Sequence, residues 1–214
     1  MTKAWWIIAC ALTVLAIAGT AAIYPSLPEK IPIHWNAHGE IDGWGAKPWS
    51  FLSPAIMVGM LGLLSVIPWL SPKQFEVDTF RGTYAFIVAL VIALIGFIHV
   101  LTLLPPLNIP VRIEKVMICG MMVFFMLMGN VLGKVQRNFF VGVRTPWTLA
   151  SERVWLETHR LAARVFVGVG ILGIITTLLG LSILLPIGLI IAGVVVIVGF
   201  SLVRYKQLER RGQL

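Results

Sequence analysis

Four side chains in one short stretch, His34, His38, Glu40 and Asp42, are of the types that hold metal ions or move protons. His34 and His38 stand four positions apart, a spacing that on a helix aims both imidazoles the same way. Pro32 and Gly39 oppose that helix. His34, His38 and Asp42 are therefore a metal set by type only, at a spacing that matches no established site, and no metal or other cofactor is expected. The competing reading is turn chemistry, with Asn36 and Asp42 satisfying backbone groups and the histidines at a wet interface. Prolines 25, 28 and 32 oppose helix at the start of the stretch, and Asp42-Gly43 is a two-residue hairpin-turn signal. A short ordered loop or small hairpin is expected, with Trp35, Trp44 and Trp49 at the headgroup level that indoles favour.

A second polar segment runs from residue 133 to residue 160. Pro146 pushes Thr145 toward an extended conformation. Thr148 or Ser151 is placed to cap a helix, and Glu152 suits its electropositive N-terminus. On that helix Arg153, Glu157, Arg160 and Arg164 form a polar stripe, and Trp155, His159, Ala162 and Phe166 a mostly apolar one. An amphipathic surface helix leading into a membrane span is expected. Arg137 and Arg144 then either meet lipid phosphates or present a docking surface to a protein.

These segments must be positioned by the rest of the chain, which is too apolar for a soluble domain. Of 214 residues, 58% are hydrophobic and 12% charged, against roughly 25% charged in ordinary globular sequences. Disorder is excluded by the apolar content, and a disulfide scaffold by a count of two cysteines. Crossing a bilayer takes about 20 mostly apolar residues. Uncharged runs cover residues 4–28, 48–72, 82–111, 116–133 and 165–203. As one helix the last run would reach about 58 Å, twice the hydrocarbon thickness, so it folds back near residues 181–186, where Pro186 favours a boundary. The expected fold is an all-α polytopic bundle of six spans, at about 4–24, 51–70, 82–104, 114–133, 162–181 and 184–203. Lys3 and Ala16-Ile17-Ala18 are compatible with a signal peptide, but the apolar stretch outruns the usual h-region, and a retained first helix is expected.

Lys and Arg prefer cytoplasmic loops. With both termini cytoplasmic, inner segments carry 13 of the 17 basic residues and five of the nine acidic ones. The outer face then sums to zero and the inner face to the whole net charge of +8. That charge reads as orientation and contact with anionic lipid, and direct nucleic-acid binding is not expected, since no such motif is present.

Smaller signals carry less. Residues 168–173 read G-x-G-x-x-G but lie inside a span, and Gly129 to Gly133 before Lys134 falls short of a phosphate loop. Both spacings instead permit close helix packing. His99 and Asn130 are expected to form interhelical hydrogen bonds rather than a proton relay. Cys10 and Cys119 should lie toward opposite faces, too far apart to pair.

The stretch 31–36, with Gly39, Glu40, Ile41, Asp42, Gly43, Trp44, Gly45 and Lys47, resembles a bacterial domain of unknown function that often precedes the SdpI domain. The stretch 138–149, with Trp155, Thr158, His159 and Arg160, resembles the SdpI signature itself. The resemblance implies a multi-pass protein of the bacterial plasma (inner) membrane that gives immunity to a membrane-active peptide toxin. It also implies signalling, by holding a transcriptional repressor at the membrane. Implied divisions are 1–72, a two-helix unit with the outer loop; 73–111, a connecting span; and 112–214, the SdpI-like unit.

The leading expectation is a non-enzymatic immunity or signalling protein. His34, Trp35, Asn36, Gly39, Glu40, Asp42, Gly43, Trp44 and Lys47 are the toxin-sensing candidates. Asn138, Gly142, Arg144, Thr145, Pro146, Trp147, Trp155, His159 and Arg160 are the candidates for contact with the repressor. Membrane lipid is the remaining partner. A small transporter is the alternative, disfavoured because few polar groups fall at mid-membrane depth. A metal-dependent membrane enzyme built on His34, His38 and Asp42 is the third reading.

Overall fold

A computed structural model of the chain describes residues 2–36, 38–73 and 76–214. The long helices are α1 (Thr2–Ile23), α2 (Leu52–Leu70), α3 (Arg81–Leu103), α4 (Ile113–Leu132), α6 (Glu152–Leu178) and α7 (Leu184–Arg210). Between them stand a two-stranded hairpin, β1 (Lys30–Trp35) and β2 (Ile41–Ala46), and a single-turn helix α5 (Pro146–Ala150). Among the described residues six helices are long and apolar enough to cross a membrane, the all-α polytopic arrangement expected.

The expected helix after Ser151 and the fifth span it leads into form one continuous helix, α6. At 27 residues it is about 40 Å long and outruns a ~30 Å hydrocarbon core by about two turns. The fold-back after it comes at residues 179–183. Gly180 adopts φ +72, and the Gly180 and Leu181 amides bond to the Thr177 and Thr176 carbonyls. Pro186 lies in the first turn of α7, where a missing N–H costs nothing.

The chain forms two compact units, residues 1–65 with 85–121, and residues 66–84 with 122–214. Their boundaries fall within α2, α3 and α4. In the first unit Ala9, Met57, Ala89 and Ile92 form a buried cluster from α1, α2 and α3. Trp5 and Phe86 stack edge to face toward the helix starts, with ring centroids 4.9 Å apart. His99 makes the expected interhelical bond, 2.8 Å from Nε2 to Thr20 Oγ1.

In the second unit Leu132, Ala162 and Ile197 form the buried cluster, joining α4, α6 and α7. The expectation of close helix packing at small residues holds for Gly129 and Gly170. A Cβ on Gly129 would lie 2.9 Å from the Ala163 carbonyl oxygen, and one on Gly170 2.8 Å from that of Met122. A Cβ on Gly168 would meet nothing within 4 Å. Asn130 departs from expectation: it is exposed and forms no interhelical bond among the described residues, because that side of α4 faces away from its neighbours. Cys10 and Cys119 are both free.

Candidate functional site

The first polar segment is a hairpin with its turn elsewhere than the Asp42-Gly43 signal indicates. Asn36 makes the reversal. Its Oδ1 accepts from the amides of His38 (2.9 Å) and Glu40 (3.1 Å), and its carbonyl accepts from Gly39 N–H at 3.0 Å. Gly39 sits at φ +78, where a side chain would be strained, and its Cβ would fall 2.5 Å from Glu114 Oε2. Asp42 and Gly43 lie instead within β2. Gly43 pairs with His34 across an irregular register, and a Cβ there would come 2.8 Å from His34 Cβ. The glycine makes room for a histidine rather than turning the chain.

That placement sets His34 Nδ1 2.5 Å from Asp42 Oδ1. The pair is open to solvent, with the His34 side chain 72% exposed. Asn36 Nδ2 donates to Glu40 Oε2 at 2.8 Å. Lys47 closes the hairpin base: its amide bonds to the Glu29 carbonyl, and its ammonium lies 5.0 Å from the Tyr24 ring centroid. Trp44 and Trp49 are 56% and 52% exposed, while Trp35 is half-buried. Trp35, Gly39 and Ile41 form one side of a shallow groove of about 440 Å³, closed by Pro105, Asn108 and Pro110. His38 is exposed, and among the described residues no three His, Cys, Asp or Glu side chains converge on a metal position.

The second polar segment has the opposite character. Asn138 is fully buried and organises the loop through its side-chain amide. Oδ1 accepts from the Phe140 and Val141 amides, and Nδ2 donates to the Gln136 and Val141 carbonyls, at 2.7–3.0 Å. Thr145 caps α5 in a reciprocal box. Its Oγ1 accepts from Thr148 N–H at 3.3 Å, and Thr148 Oγ1 accepts from Thr145 N–H at 2.9 Å. Thr148 is thus the third residue of the box rather than a cap, and Ser151 caps α6. Pro146 opens α5, where its fixed φ fits.

The loop is held to α6 through His159 and Trp155. His159 Nδ1–H donates to the Trp155 carbonyl at 2.8 Å, which leaves Nε2 to accept from Val143 N–H at 3.0 Å. This arrangement requires the neutral ring. His159 stacks on Trp155 with centroids 4.0 Å apart, and Trp155 Nε1–H donates to the Val135 carbonyl at 2.8 Å. Gly142 sits at φ +113, and any Cβ there would lie 2.3 Å from His159 Nε2. The stripe of Trp155, His159 and Ala162 is therefore buried by the protein itself. It does not lie on a membrane surface, because the preceding loop folds back over it.

Two ties reach α7. Trp147 Nε1–H donates to Ser201 Oγ, whose own proton goes to the Val198 carbonyl at 2.7 Å. Arg204 grips Glu157 with two guanidinium nitrogens, one at 2.9 Å, and Arg153 reaches the same carboxylate at 3.2 Å. Neither Ser201 nor Arg204 was singled out by sequence reasoning. Ser201 had one usable signal, a hydroxyl in an otherwise apolar stretch. Arg204 had none, since 47 positions separate it from its partner.

Exposure sorts the loop candidates. Asn138, Trp155 and His159 are buried, Gly142, Thr145 and Trp147 are half-buried, and Arg144, Pro146 and Arg160 are exposed. Phe139, omitted from the contact candidates, is 39% exposed, and Arg144 donates to its carbonyl.

Six spanning helices with two ordered polar connections define a polytopic membrane protein. Residues 134–203 match the SdpI/YfhL protein family, and residues 11–58 a domain of unknown function (DUF1648). The two matches stand in the order of the pair its motifs resemble, the domain of unknown function ahead of the SdpI stretch. Along 208 residues it is 29% identical to the protein named "Immunity protein SdpI" of Bacillus subtilis (strain 168), covering 95% of this chain and 97% of that one. No solved structure matches. The match at residues 11–58 takes in the hairpin, and the SdpI match takes in the loop, α5, α6 and most of α7.

Proposed function

We propose that this chain is a membrane immunity protein whose hairpin engages a peptide toxin at the outer surface of a bacterial inner membrane. The observation that carries this reading is the displayed hairpin. His34, Asp42 and Trp44 project from the strand pair and Trp49 from the helical turn that leads from it into α2, in a chain related along nearly its whole length to a named immunity protein. Exposed indoles beside an open His–Asp pair suit a ligand that arrives at the headgroup layer with both apolar and polar groups. The positive-inside pattern supports both termini being cytoplasmic, with the hairpin outside. The role is binding rather than catalysis.

The test is expression of the chain in a toxin-sensitive bacterium challenged with secreted membrane-active peptides. Protection that fails in the Trp44→Ala and His34→Ala variants, at unchanged protein level, is expected. Sensitivity unaltered by the wild-type chain would sink the reading.

A signalling role is a second reading, in which a cytoplasmic repressor docks on the second unit. Its support is the exposed set of Phe139 and Arg144 on the loop, Pro146 at the start of α5 and Arg160 on α6. Co-purification of a DNA-binding repressor that is lost on Arg144→Ala plus Arg160→Ala, with protection intact, is the expected signature.

A further inference from the structure

A cavity of about 540 Å³ lies between the C-terminal halves of α1 and α3. Leu12, Leu15 and Gly19 line it from one side, and Ala93, Gly96 and Val100 from the other. Of all its lining residues only Thr20 and His99 are polar, and both are almost wholly buried and bonded to each other. Thr20 Oγ1 also lies 2.7 Å from the Ala16 carbonyl, to which it donates, so it accepts from His99 Nε2–H. The two helices are thus held at both ends, by Trp5 on Phe86 and by Thr20 on His99. Small residues leave the space beside the second tie open: a Cβ on Gly19 would meet nothing within 4 Å.

We infer that this cavity is an acyl-chain site, occupied by one tail of a bilayer phospholipid, with the Thr20–His99 bond setting its width. Both walls are candidate spans, so the cavity opens to the hydrocarbon phase. Its extent along α1, residues 12–23, is about 17 Å, close to the ~15 Å depth of a single leaflet. Spread over that length its volume gives a slot roughly 6 Å across, whereas a helix with side chains needs about 10–12 Å. An extended alkyl chain enters such a slot and a peptide helix does not. This site is distinct from the hairpin and does not depend on the immunity reading.

The full-length protein is reconstituted in phosphatidylglycerol vesicles containing a phosphatidylglycerol with a photoreactive tail, and labelled positions are mapped by mass spectrometry. Labelling concentrated on residues 12–23 and 93–107, well above the exposed apolar positions of α7, is expected. Gly19→Phe places a ring in the slot from a Cβ that itself meets nothing within 4 Å. It should cut labelling there by roughly tenfold, the equivalent of lost contact with about two methylene groups, while labelling of α7 stays constant. Gly19→Leu gives the same effect in smaller measure, and Gly59→Phe, on open helix surface, leaves the pattern unchanged. Uniform labelling of all exposed helix faces in the wild type would overturn the inference. So would undiminished labelling of the slot in both Gly19 variants.

Discussion

The hairpin and the loop between α4 and α6 use the same residue types to opposite ends. Each, the loop taken together with the start of α6, contains histidine, tryptophan and a glycine at positive φ. In the hairpin the histidine stands in solvent beside Asp42, and Trp44 projects outward. At the start of α6, beneath the loop, His159 is 1% exposed, its two ring nitrogens are committed to backbone groups, and Trp155 is wholly buried against it. A hairpin of two strands has little interior in which to hide side chains, so its aromatic residues remain available to a ligand. The loop lies against two long helices and uses the same chemistry to hold its own shape. Motif residues in the first region therefore mostly stay at the surface, and most of those in the second belong to the scaffold that holds Phe139, Arg144 and Pro146 outward.

Substitutions can break this contrast. The largest effect is expected for Trp155→Ala, which empties a fully buried site and frees the Val135 carbonyl. It should destabilise the second unit by about 3–5 kcal/mol, read as a lowered melting temperature in detergent. Gly142→Ala comes next. Its Cβ would collide with His159 Nε2 and hold a left-handed backbone, costing about 1–3 kcal/mol in the same assay, with loss of Val143 amide protection in hydrogen exchange. Trp44→Ala in the hairpin should shift the melt by less than about 0.5 kcal/mol while reducing protection in a toxin-challenge assay. An equally large stability loss there would erase the distinction between the two regions.

A change of opposite sign sharpens the picture of the scaffold. Thr158 is wholly buried, and its hydroxyl has no hydrogen-bond partner among the described residues. Thr158→Val should be neutral or stabilising by up to about 1 kcal/mol, since it removes an unpaired polar group. A clear destabilisation would mean that the hydroxyl is bonded after all, and that the loop's polar network extends further along α6.

Much of the fold was legible because spanning a bilayer is a demand on composition and length. Apolar runs located all six helices, and the 39-residue run 165–203 had to fold back. The periodic stripe of Trp155, His159 and Ala162 was also legible. What covers it was not, since a lipid surface and a returning loop ask for the same apolar pattern. The hairpin turn was misplaced because Asp42-Gly43 fits two physical needs equally well. A tight turn wants a residue free of Cβ strain, and so does a strand position crowded by His34. Asn36, with both an acceptor and a donor on its side chain, turned the chain instead.

By itself, then, the sequence determined what burial and charge statistics control: a membrane protein, six helices, two polar connections and the residue types within them. Tertiary structure alone decided which of those residues face outward. Display or burial of a histidine depends on backbone placed around it from elsewhere in the chain, as Val143 is placed against His159. The tie of Glu157 to Arg204, formed across 47 positions, likewise exists only once α6 and α7 lie side by side. Local spacing carries no record of such long-range encounters, because the energy that fixes them belongs to the packed arrangement and not to either segment.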